Sequence, residues 1–326
     1  MNFKETILAE TPVFLAPMAG ITDAPFRHLV TSFGATAVVS EMVSSEALVR
    51  NSKKTFRRLA QKNREVLNII QIVGYSPQNM AESAIINEDL GADVIDINMG
   101  CPARKITSNE SGAALMKNED LAVQIAEAVV KAVKIPVTLK MRLGWDSDNI
   151  NCFSLAKKFE NIGIQMLAIH CRTRNQMYSG SADWHAINAM RDIIHIPYLC
   201  NGDIKSPEDA KKALKLSRAN GVMIGRGALG KPWLINQVMA FLNEGKVTPP
   251  PTLEEQFKIV MEHFQNTLDF YGEEHGIRIF RKHFCWYSAG MSGASAFRQT
   301  INQTEDLSFI KSYVEDFYTK HFEAVL

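Results

Sequence analysis

The sequence predicts a TIM (β/α)8 barrel followed by a small all-helical C-terminal domain. Eight short apolar runs alternate with helical stretches, and all of them fall within about 230 residues, which favours a closed barrel over an open sheet. After the proline-rich segment 248–252, the pattern becomes helical and poor in strands. The 326 residues are enough for one barrel and an appendage.

The candidate strands are apolar runs that end in polar or glycine-rich residues, as strands of a parallel sheet covered on both faces do. They are Val13–Ala16, Ala37–Met42, Asn68–Val73, Asp93–Asn98, Val137–Met141, Met166–His170, Tyr198–Cys200 and Val222–Ile224. Ser76 and Ser206 each precede a proline and predict helix N-caps, with Asp209 completing a capping box. In the tail, apolar residues recur at helical spacing in 257–268 and 310–317.

Composition argues against several classes of protein. The chain is 46% hydrophobic and 22% charged, and its five cysteines are scattered without a C-x-x-C pair. Such cysteines indicate reduced thiols and a cytoplasmic protein, not a disulfide framework or a metal site. There is no signal-like N-terminus and no apolar run of membrane-spanning length, so we expect no membrane partner. The oligomeric state is open, with a monomer as the expectation.

The charge is unevenly distributed although the formal net charge is only +1. Residues 50–64 contain seven basic residues and no acid, and residues 275–304 contain four arginines and lysines and no acid. The remainder of the chain is therefore acidic. Each run could be a solvated helix face, but two such runs on an acidic protein favour binding of a polyanion such as a nucleic acid.

A thiol follows the fourth strand, in the segment Asp96-Ile97-Asn98-Met99-Gly100-Cys101-Pro102. Turn residues directly after a buried strand place side chains at the top of a parallel sheet. Cys101 could be a small buried hydrophobe, or a nucleophile or proton donor. Most of the other strand ends also carry hydrogen-bonding side chains and few acids, which predicts a mouth for an anionic, hydrogen-bonding ligand.

The segment Gly225-Arg226-Gly227-Ala228-Leu229-Gly230 matches G-x-G-x-x-G, but it follows the last strand, where a dinucleotide fingerprint does not belong. We interpret it as the phosphate site of a barrel, with a plain glycine turn as the alternative. Lys140 lies within an apolar strand, which is costly unless it serves a ligand. Gln71 and Lys140 would then face a polar ring, and His170 is the one histidine at a predicted strand tip.

These segments resemble the tRNA-dihydrouridine synthases. The resemblance rests on 16–23 (Ala-Pro-Met-Ala-Gly-Ile-Thr-Asp), 96–102, 138–142 (Thr-Leu-Lys-Met-Arg), 201–203 (Asn-Gly-Asp) and 224–226. The tail segment 278–287 looks most like the bacterial B-type. Two departures are Cys171 and Cys200, at positions where the family commonly has smaller residues.

The resemblance implies FMN in the barrel, NADPH as reductant and tRNA as substrate. Hydride would pass from reduced FMN to C6 of uridine, and Cys101 would donate the proton to C5. The implied FMN contacts are Pro17, Met18, Ala19, Gln71, Lys140, His170, Asn201, Gly202, Asp203, Gly225 and Arg226. The expected substrate contacts are Asn98 and Arg142, and the expected tRNA contacts are Arg50, Lys53, Lys54, Arg57, Arg58, Arg278, Arg281 and Lys282. Residues 1–247 would be the FMN-binding catalytic domain and 248–326 the tRNA-binding domain.

Three other hypotheses about the function stay open. A flavin barrel acting on a free pyrimidine, such as a dihydroorotate dehydrogenase, would need neither basic run nor helical tail. An RNA-binding protein with a vestigial flavin site would not need Cys101. An aldolase-like barrel would use Lys140 as a Schiff-base lysine and would be colourless.

Overall fold

The computed structural model describes residues 3–8, 10–50 and 67–323. Nine strands of these residues form one parallel sheet. They are β1 (Val13–Leu15), β2 (Ala37–Val39), β3 (Val43–Ser44), β4 (Leu67–Val73), β5 (Val94–Met99), β6 (Val137–Arg142), β7 (Met166–His170), β8 (Tyr198–Asn201) and β9 (Gly221–Ile224). The strand order is β2-β1-β9-β8-β7-β6-β5-β4-β3, and an added pairing of β2 with β4 closes eight of the strands into a barrel. The predicted TIM barrel is confirmed.

The second predicted strand, Ala37–Met42, is too long. Strand β2 ends at Val39, and β3 begins separately at Val43. The break lies at Ser40, whose hydroxyl accepts a hydrogen bond from the amide of Gln71 at 3.0 Å. Because this hydroxyl, and not a backbone carbonyl of the β2 segment, accepts from the amide of Gln71 on β4, the chain leaves the regular ladder here. The other seven strands lie within one or two residues of their predicted bounds.

One cluster of buried apolar side chains fills the barrel. Phe14 on β1, Val39 on β2, Ile69 on β4 and Leu199 on β8 are each almost fully buried in it. Residues from three further strands, β5, β7 and β9, and from the N-terminal helix complete the cluster. The interior of the barrel is therefore packed, as in other TIM barrels, whose ligands bind at the carboxyl ends of the strands.

The α-helices of the barrel region precede, connect or follow the strands. They are Phe3–Leu8, Ala24–Ser32, Ser45–Arg50, Pro77–Asp89, Arg104–Thr107, Glu119–Ala132, Cys152–Ile162, Pro207–Ser217 and Leu234–Glu244. Ser76 and Ser206 both act as N-caps. The predicted capping box is wrong, because the Asp209 carboxylate accepts from the amide of Lys205 at 3.0 Å.

The chain divides into two compact units, Met1–Gly227 with Leu234–Lys246, and Ala228–Trp233 with Val247–Leu326. The second unit contains the helices Leu253–Tyr271, Glu273–Tyr287, Ala294–Gln303 and Leu307–Glu323. Its core is aromatic, with Phe264, Phe280 and Phe284 in mutual ring contact at 4.6 to 5.0 Å between centroids. The predicted helical tail is confirmed. Among the described residues no helix combines the length and apolar character needed to span a membrane.

Candidate active site

A cavity of about 700 Å³ opens at the carboxyl ends of the barrel strands. Nine of the residues expected to contact FMN line it. They are Pro17, Met18, Lys140, His170, Asn201, Gly202, Asp203, Gly225 and Arg226. Ala19 and Gln71 are not in its lining. The cavity is also bounded by Arg172 and Tyr178, which the sequence analysis did not select.

Glycines shape one end of the cavity. Gly202 has a φ of +125°, a conformation that side chains rarely adopt. A Cβ on Gly227 would lie 2.2 Å from the carbonyl oxygen of Ile204, so only glycine lets the two loops approach this closely. The short 3-10 helix Arg226–Ala228 begins here. The backbone after β8 and β9 is therefore open to close approach by a ligand such as a phosphate.

Two arginines share the carboxylate of Asp203 at this end. Arg172, whose side chain is 1% exposed, donates from Nη1 to Oδ1 at 3.1 Å and from Nη2 to Oδ2. Arg226 reaches Oδ1 at 3.3 Å. Burial alone would raise the pKa of Asp203, but hydrogen bonds from Arg172 and the Ala182 amide outweigh it and hold that pKa below its usual value. One carboxylate thus faces two guanidinium groups, which leaves positive charge for an anion.

Lys140 supplies a second cationic feature. Its side chain lies on β6 and is 9% exposed, and its ammonium has no hydrogen-bond partner among the residues that the structure describes. Burial, together with the charge of Arg142, lowers the pKa of Lys140 to about 8. A buried cation without a partner is costly, and a polar ligand in the cavity would satisfy it.

His170 is held as a neutral ring. Burial and the nearby charges of Lys140, Arg142 and Arg172 keep its pKa far below the usual value. Arg172 Nη1 lies 3.4 Å from Nε2 of His170. Because arginine can only donate, Nε2 is the acceptor and the ring proton sits on Nδ1. His170 can thus donate a hydrogen bond but does not titrate near neutral pH.

A buried polar network lies beneath the thiol segment. Gln71 donates from Nε2 to Asp96 Oδ2 at 2.7 Å, and its Oε1 accepts from Asn98 Nδ2 at 2.7 Å. The hydroxyl of Thr138 binds the other oxygen of Asp96 at 2.7 Å. Burial raises the pKa of Asp96. The sequence analysis did not select Asp96, although an acid inside an apolar strand was a visible signal.

The backbone of Cys101 is fixed by this network. Asn98 Oδ1 accepts from the amides of Gly100 at 3.1 Å and Cys101 at 2.9 Å. The carbonyl of Cys101 accepts from the amide of Ala113 at 3.0 Å. The thiol residue is half-buried. Since Asn98 pairs with Lys140 across β5 and β6, the structure places the thiol segment at the strand end that also carries the cavity.

Arg142 is almost fully buried, and its expected contact with substrate stays a prediction. It donates to the carbonyls of Gly100 at 2.8 Å, Thr173 at 2.8 Å and Met177 at 3.0 Å. Burial lowers its pKa to about 10. In this arrangement the guanidinium ties the thiol segment to the loop after β7.

The expected tRNA contacts receive little structural support. Five of the expected contacts lie outside what the structure describes, namely Lys53, Lys54, Arg57, Arg58 and the side chain of Arg50. In the second run, Arg278 pairs with Glu274 at 2.9 Å and Glu305 at 3.0 Å, and Arg281 donates to the Thr304 carbonyl. The run lacks acids in sequence, but Glu274 and Glu305, just outside it, form ion pairs with Arg278, and Glu305 also pairs with Arg281. These contacts, with Lys282, stay predictions.

The described residues include no group of three or more histidine, cysteine or acidic side chains that could hold a metal ion.

The two departures from the family pattern, Cys171 and Cys200, lie buried with their sulfurs 3.6 Å apart. This contact, together with burial, raises the pKa of Cys171 well above its usual value, which disfavours its thiolate form.

Comparison with solved structures supports the fold alone. Histamine dehydrogenase from Rhizobium sp. 4-9 matches 78% of this chain with a TM-score of 0.52 and 12% identity. A 2-naphthoyl-CoA reductase complex matches 72% with a TM-score of 0.55 and 14% identity. The chain spans about half the length of each of these proteins, 48% and 52%.

Comparison with curated sequences and family models gives much closer matches. A protein of Rickettsia bellii named "Probable tRNA-dihydrouridine synthase" is 47% identical over 308 residues, covering 94% of both chains. "tRNA-dihydrouridine synthase B" of Pasteurella multocida is 45% identical and covers 90% of this chain and 89% of its own. The family model "Dihydrouridine synthase (Dus)" matches residues 14–322. The chain belongs to the dihydrouridine synthase family and is similar to its B-type members.

Proposed function

We propose that this protein reduces specific uridines in tRNA to 5,6-dihydrouridine, with bound FMN as cofactor and NADPH as reductant. The observation that carries the proposal is the half-buried thiol of Cys101, fixed by Asn98 at the strand end that also holds a cationic cavity. Membership of the dihydrouridine synthase family supplies the reaction class. A tRNA substrate also fits a cytoplasmic protein.

The cavity suits FMN in size and chemistry. Its volume of about 700 Å³ lies within the usual range for cofactor sites. Gly202, Gly225 and Arg226 would bind the phosphate at the open backbone after β8 and β9, with Asn201 and Asp203 beside them. Lys140, buried and without a hydrogen-bond partner in the described chain, would bind the polar edge of the ring. Pro17 and Met18 would lie against the ring, and His170 would donate from Nδ1.

Gln71 and Ala19 are expected in the same site but lie outside the cavity lining. Gln71 is committed to Asp96 and Asn98 by 2.7 Å hydrogen bonds. One N–H of its amide is still available, because a primary amide has two. We keep both residues in the proposed cofactor site, with Gln71 at its floor.

In the proposed reaction the flavin, reduced by NADPH, supplies the hydride for C6 of uridine. Cys101 donates the proton to C5, for which its half-buried position and fixed backbone suit it. Asn98 and Arg142 hold the thiol segment and would contact the uracil. The target base must leave its stack to reach the cavity, and basic residues of both proposed domains, 1–247 and 248–326, would offset that cost by binding the backbone.

The decisive experiment is nucleoside mass spectrometry of unmodified tRNA incubated with the purified protein and NADPH. We expect uridine to gain two hydrogens with the wild-type protein and not with Cys101→Ala. A yellow protein that oxidises NADPH but leaves every tRNA unchanged would overturn the substrate assignment and favour a free pyrimidine. Full turnover by Cys101→Ala would overturn the assignment of the proton donor.

A further inference from the structure

Beside the thiol segment lies a surface that the proposed site does not use. It is formed by Lys117, Trp145 and Arg174, together with Arg104 and Lys105 of the short helix whose last residue Arg174 approaches, and is called the Trp145 surface below. We propose that it binds the RNA backbone next to the nucleotide that enters the cavity. This inference rests on the proposed function, because it names the part of the barrel that holds the same substrate.

The centre of the surface is a half-buried indole with two cations against it. Lys117 Nζ lies 4.9 Å and Arg174 Cζ lies 4.5 Å from the centre of the Trp145 ring. The backbone of Trp145 is anchored on both sides, because its amide donates to Asn149 at 3.1 Å and its carbonyl accepts from Asn175 at 2.9 Å. The ring thus orders both cations without neutralising their charge.

Both cations are connected to the segments that flank the thiol. Arg174 Nη2 lies 3.5 Å from the hydroxyl of Thr107, the last residue of the helix Arg104–Thr107 that follows Cys101. Lys117 ends the 3-10 helix Gly112–Lys117, whose second residue, Ala113, donates to the Cys101 carbonyl. The Trp145 surface is therefore connected to both segments that flank the thiol residue.

The charge of the surface is available to a ligand. Within the described ranges, none of Arg104, Lys105, Lys117 and Arg174 forms an ion pair, whereas Lys131 and Lys158 of the same unit pair with glutamates at 2.6 and 2.7 Å. The nearby carboxylate of Asp146 is occupied in its own turn, where Oδ1 accepts from the Asn149 side chain at 2.6 Å and the Asp148 amide at 3.1 Å. These four cations form no ion pair there and can donate hydrogen bonds to a ligand. Such cations bind the phosphates of a nucleic-acid backbone without reading its sequence.

Position decides between RNA and another acidic partner. A ligand on the Trp145 surface contacts the two segments that flank Cys101, which is where the rest of a nucleic acid lies when one of its bases reaches the thiol. A flipped nucleotide brings its neighbouring phosphates to the rim of the site.

The test compares Lys117→Gln and Arg174→Gln with Lys134→Gln. Lys134 is an exposed lysine at the amino end of β6, on the opposite end of the strands from Cys101. Dissociation constants for unmodified tRNA are measured with the full-length protein at several salt concentrations. We expect each of the first two variants to bind more weakly and to reduce the slope of log K against log[salt] by about 0.7 to 1. Lys134→Gln should retain the wild-type slope.

The possible outcomes separate the two proposals. If the wild-type protein binds and reduces tRNA but Lys117→Gln and Arg174→Gln keep its slope, the Trp145 surface is not an RNA site and the proposed function stands. If the wild-type protein neither binds nor reduces tRNA, both proposals are overturned. Thermal unfolding of each variant shows whether it is folded, and the two independent variants guard against one local defect.

Discussion

The side chain of Asn98 joins the buried polar network of the barrel to the backbone of Cys101. Its amide nitrogen donates to Gln71 at 2.7 Å, and its oxygen accepts from the Cys101 amide at 2.9 Å. Gln71 is in turn oriented by Asp96. The position of the thiol therefore depends on groups that never touch it.

Substitutions at Asn98 test this dependence. Asn98→Ala removes the donor and the acceptor, whereas Asn98→Asp keeps the oxygen that holds the amides of Gly100 and Cys101. We expect Asn98→Ala to slow dihydrouridine formation by about 100-fold, because a small misplacement of a reacting group has effects of this size. Asn98→Asp should lose less. Single-turnover rates with excess enzyme measure this, and equal losses in the two variants would contradict a positioning role.

Asp203 should be a strong determinant of stability. Its carboxylate is the ion-pair partner of Arg172, which is almost fully buried. Asp203→Ala would leave that guanidinium buried without its counter-charge, and we expect a loss on the order of 3 kcal/mol in the free energy of unfolding. Asp192→Ala breaks an exposed pair with Arg218 and should leave the free energy of unfolding nearly unchanged. Urea unfolding of the flavin-free protein measures both losses. Similar losses in the two variants would contradict a strong contribution of the Asp203–Arg172 ion pair to stability.

Lys140 predicts a pH dependence for cofactor binding. Its pKa of about 8 in the ligand-free protein means that it loses its charge above that pH. A cofactor that accepts a hydrogen bond from the ammonium raises this pKa on binding. The dissociation constant for FMN should therefore be flat between pH 7 and 8 and rise above pH 8, by at most about tenfold per pH unit.

Lys140→Met provides the control for this titration. It should bind FMN more weakly at pH 7, with a dissociation constant that changes little up to pH 9. Flavin fluorescence during titration of the flavin-free protein gives these values. A wild-type curve that stays flat above pH 8 would remove Lys140 from the cofactor contacts.

Local patterns predicted much of the architecture, because they are set by short-range physics. The apolar runs of β4 to β9 and the serine caps at Ser76 and Ser206 depend on neighbours in sequence, and the structure confirms them. The end of β2 was missed because Ser40 bonds the Gln71 amide, a contact across 31 residues that no local pattern contains.

The site shows the same difference between features set by neighbours in sequence and contacts between distant residues. Strand-end positions could be enumerated from sequence, but the partners of each side chain could not. Arg172 stands two residues after the predicted strand Met166–His170 and was not selected from sequence, because its role emerges only from its pairing with Asp203, 31 residues later. Conversely, the acid-free run containing Arg278 indicated free positive charge, whereas Glu305 from the next segment pairs with it.

The second unit should lose stability in mild acid through His263 and His283. Burial lowers the pKa of His263 to about 3 and that of His283 well below its usual value. Both lie in an aromatic core, where His263 contacts the rings of Phe280 and His283 at 4.7 and 4.6 Å and the hydroxyl of Tyr287 at 3.0 Å. Below about pH 6.5 the two histidines bind protons in the unfolded chain but stay neutral in the folded unit.

Stability should therefore be complete above that pH and fall as the pH decreases, by about 1.4 kcal/mol per pH unit for each of the two histidines. His263→Phe removes one titrating group, so its free energy of unfolding should fall less steeply between pH 6.5 and 4, even if it starts lower at pH 7. His275→Gln, at an exposed position, should keep the wild-type slope. Urea unfolding followed by circular dichroism at each pH measures the slopes. Equal slopes for wild type and His263→Phe would mean that other groups control acid unfolding.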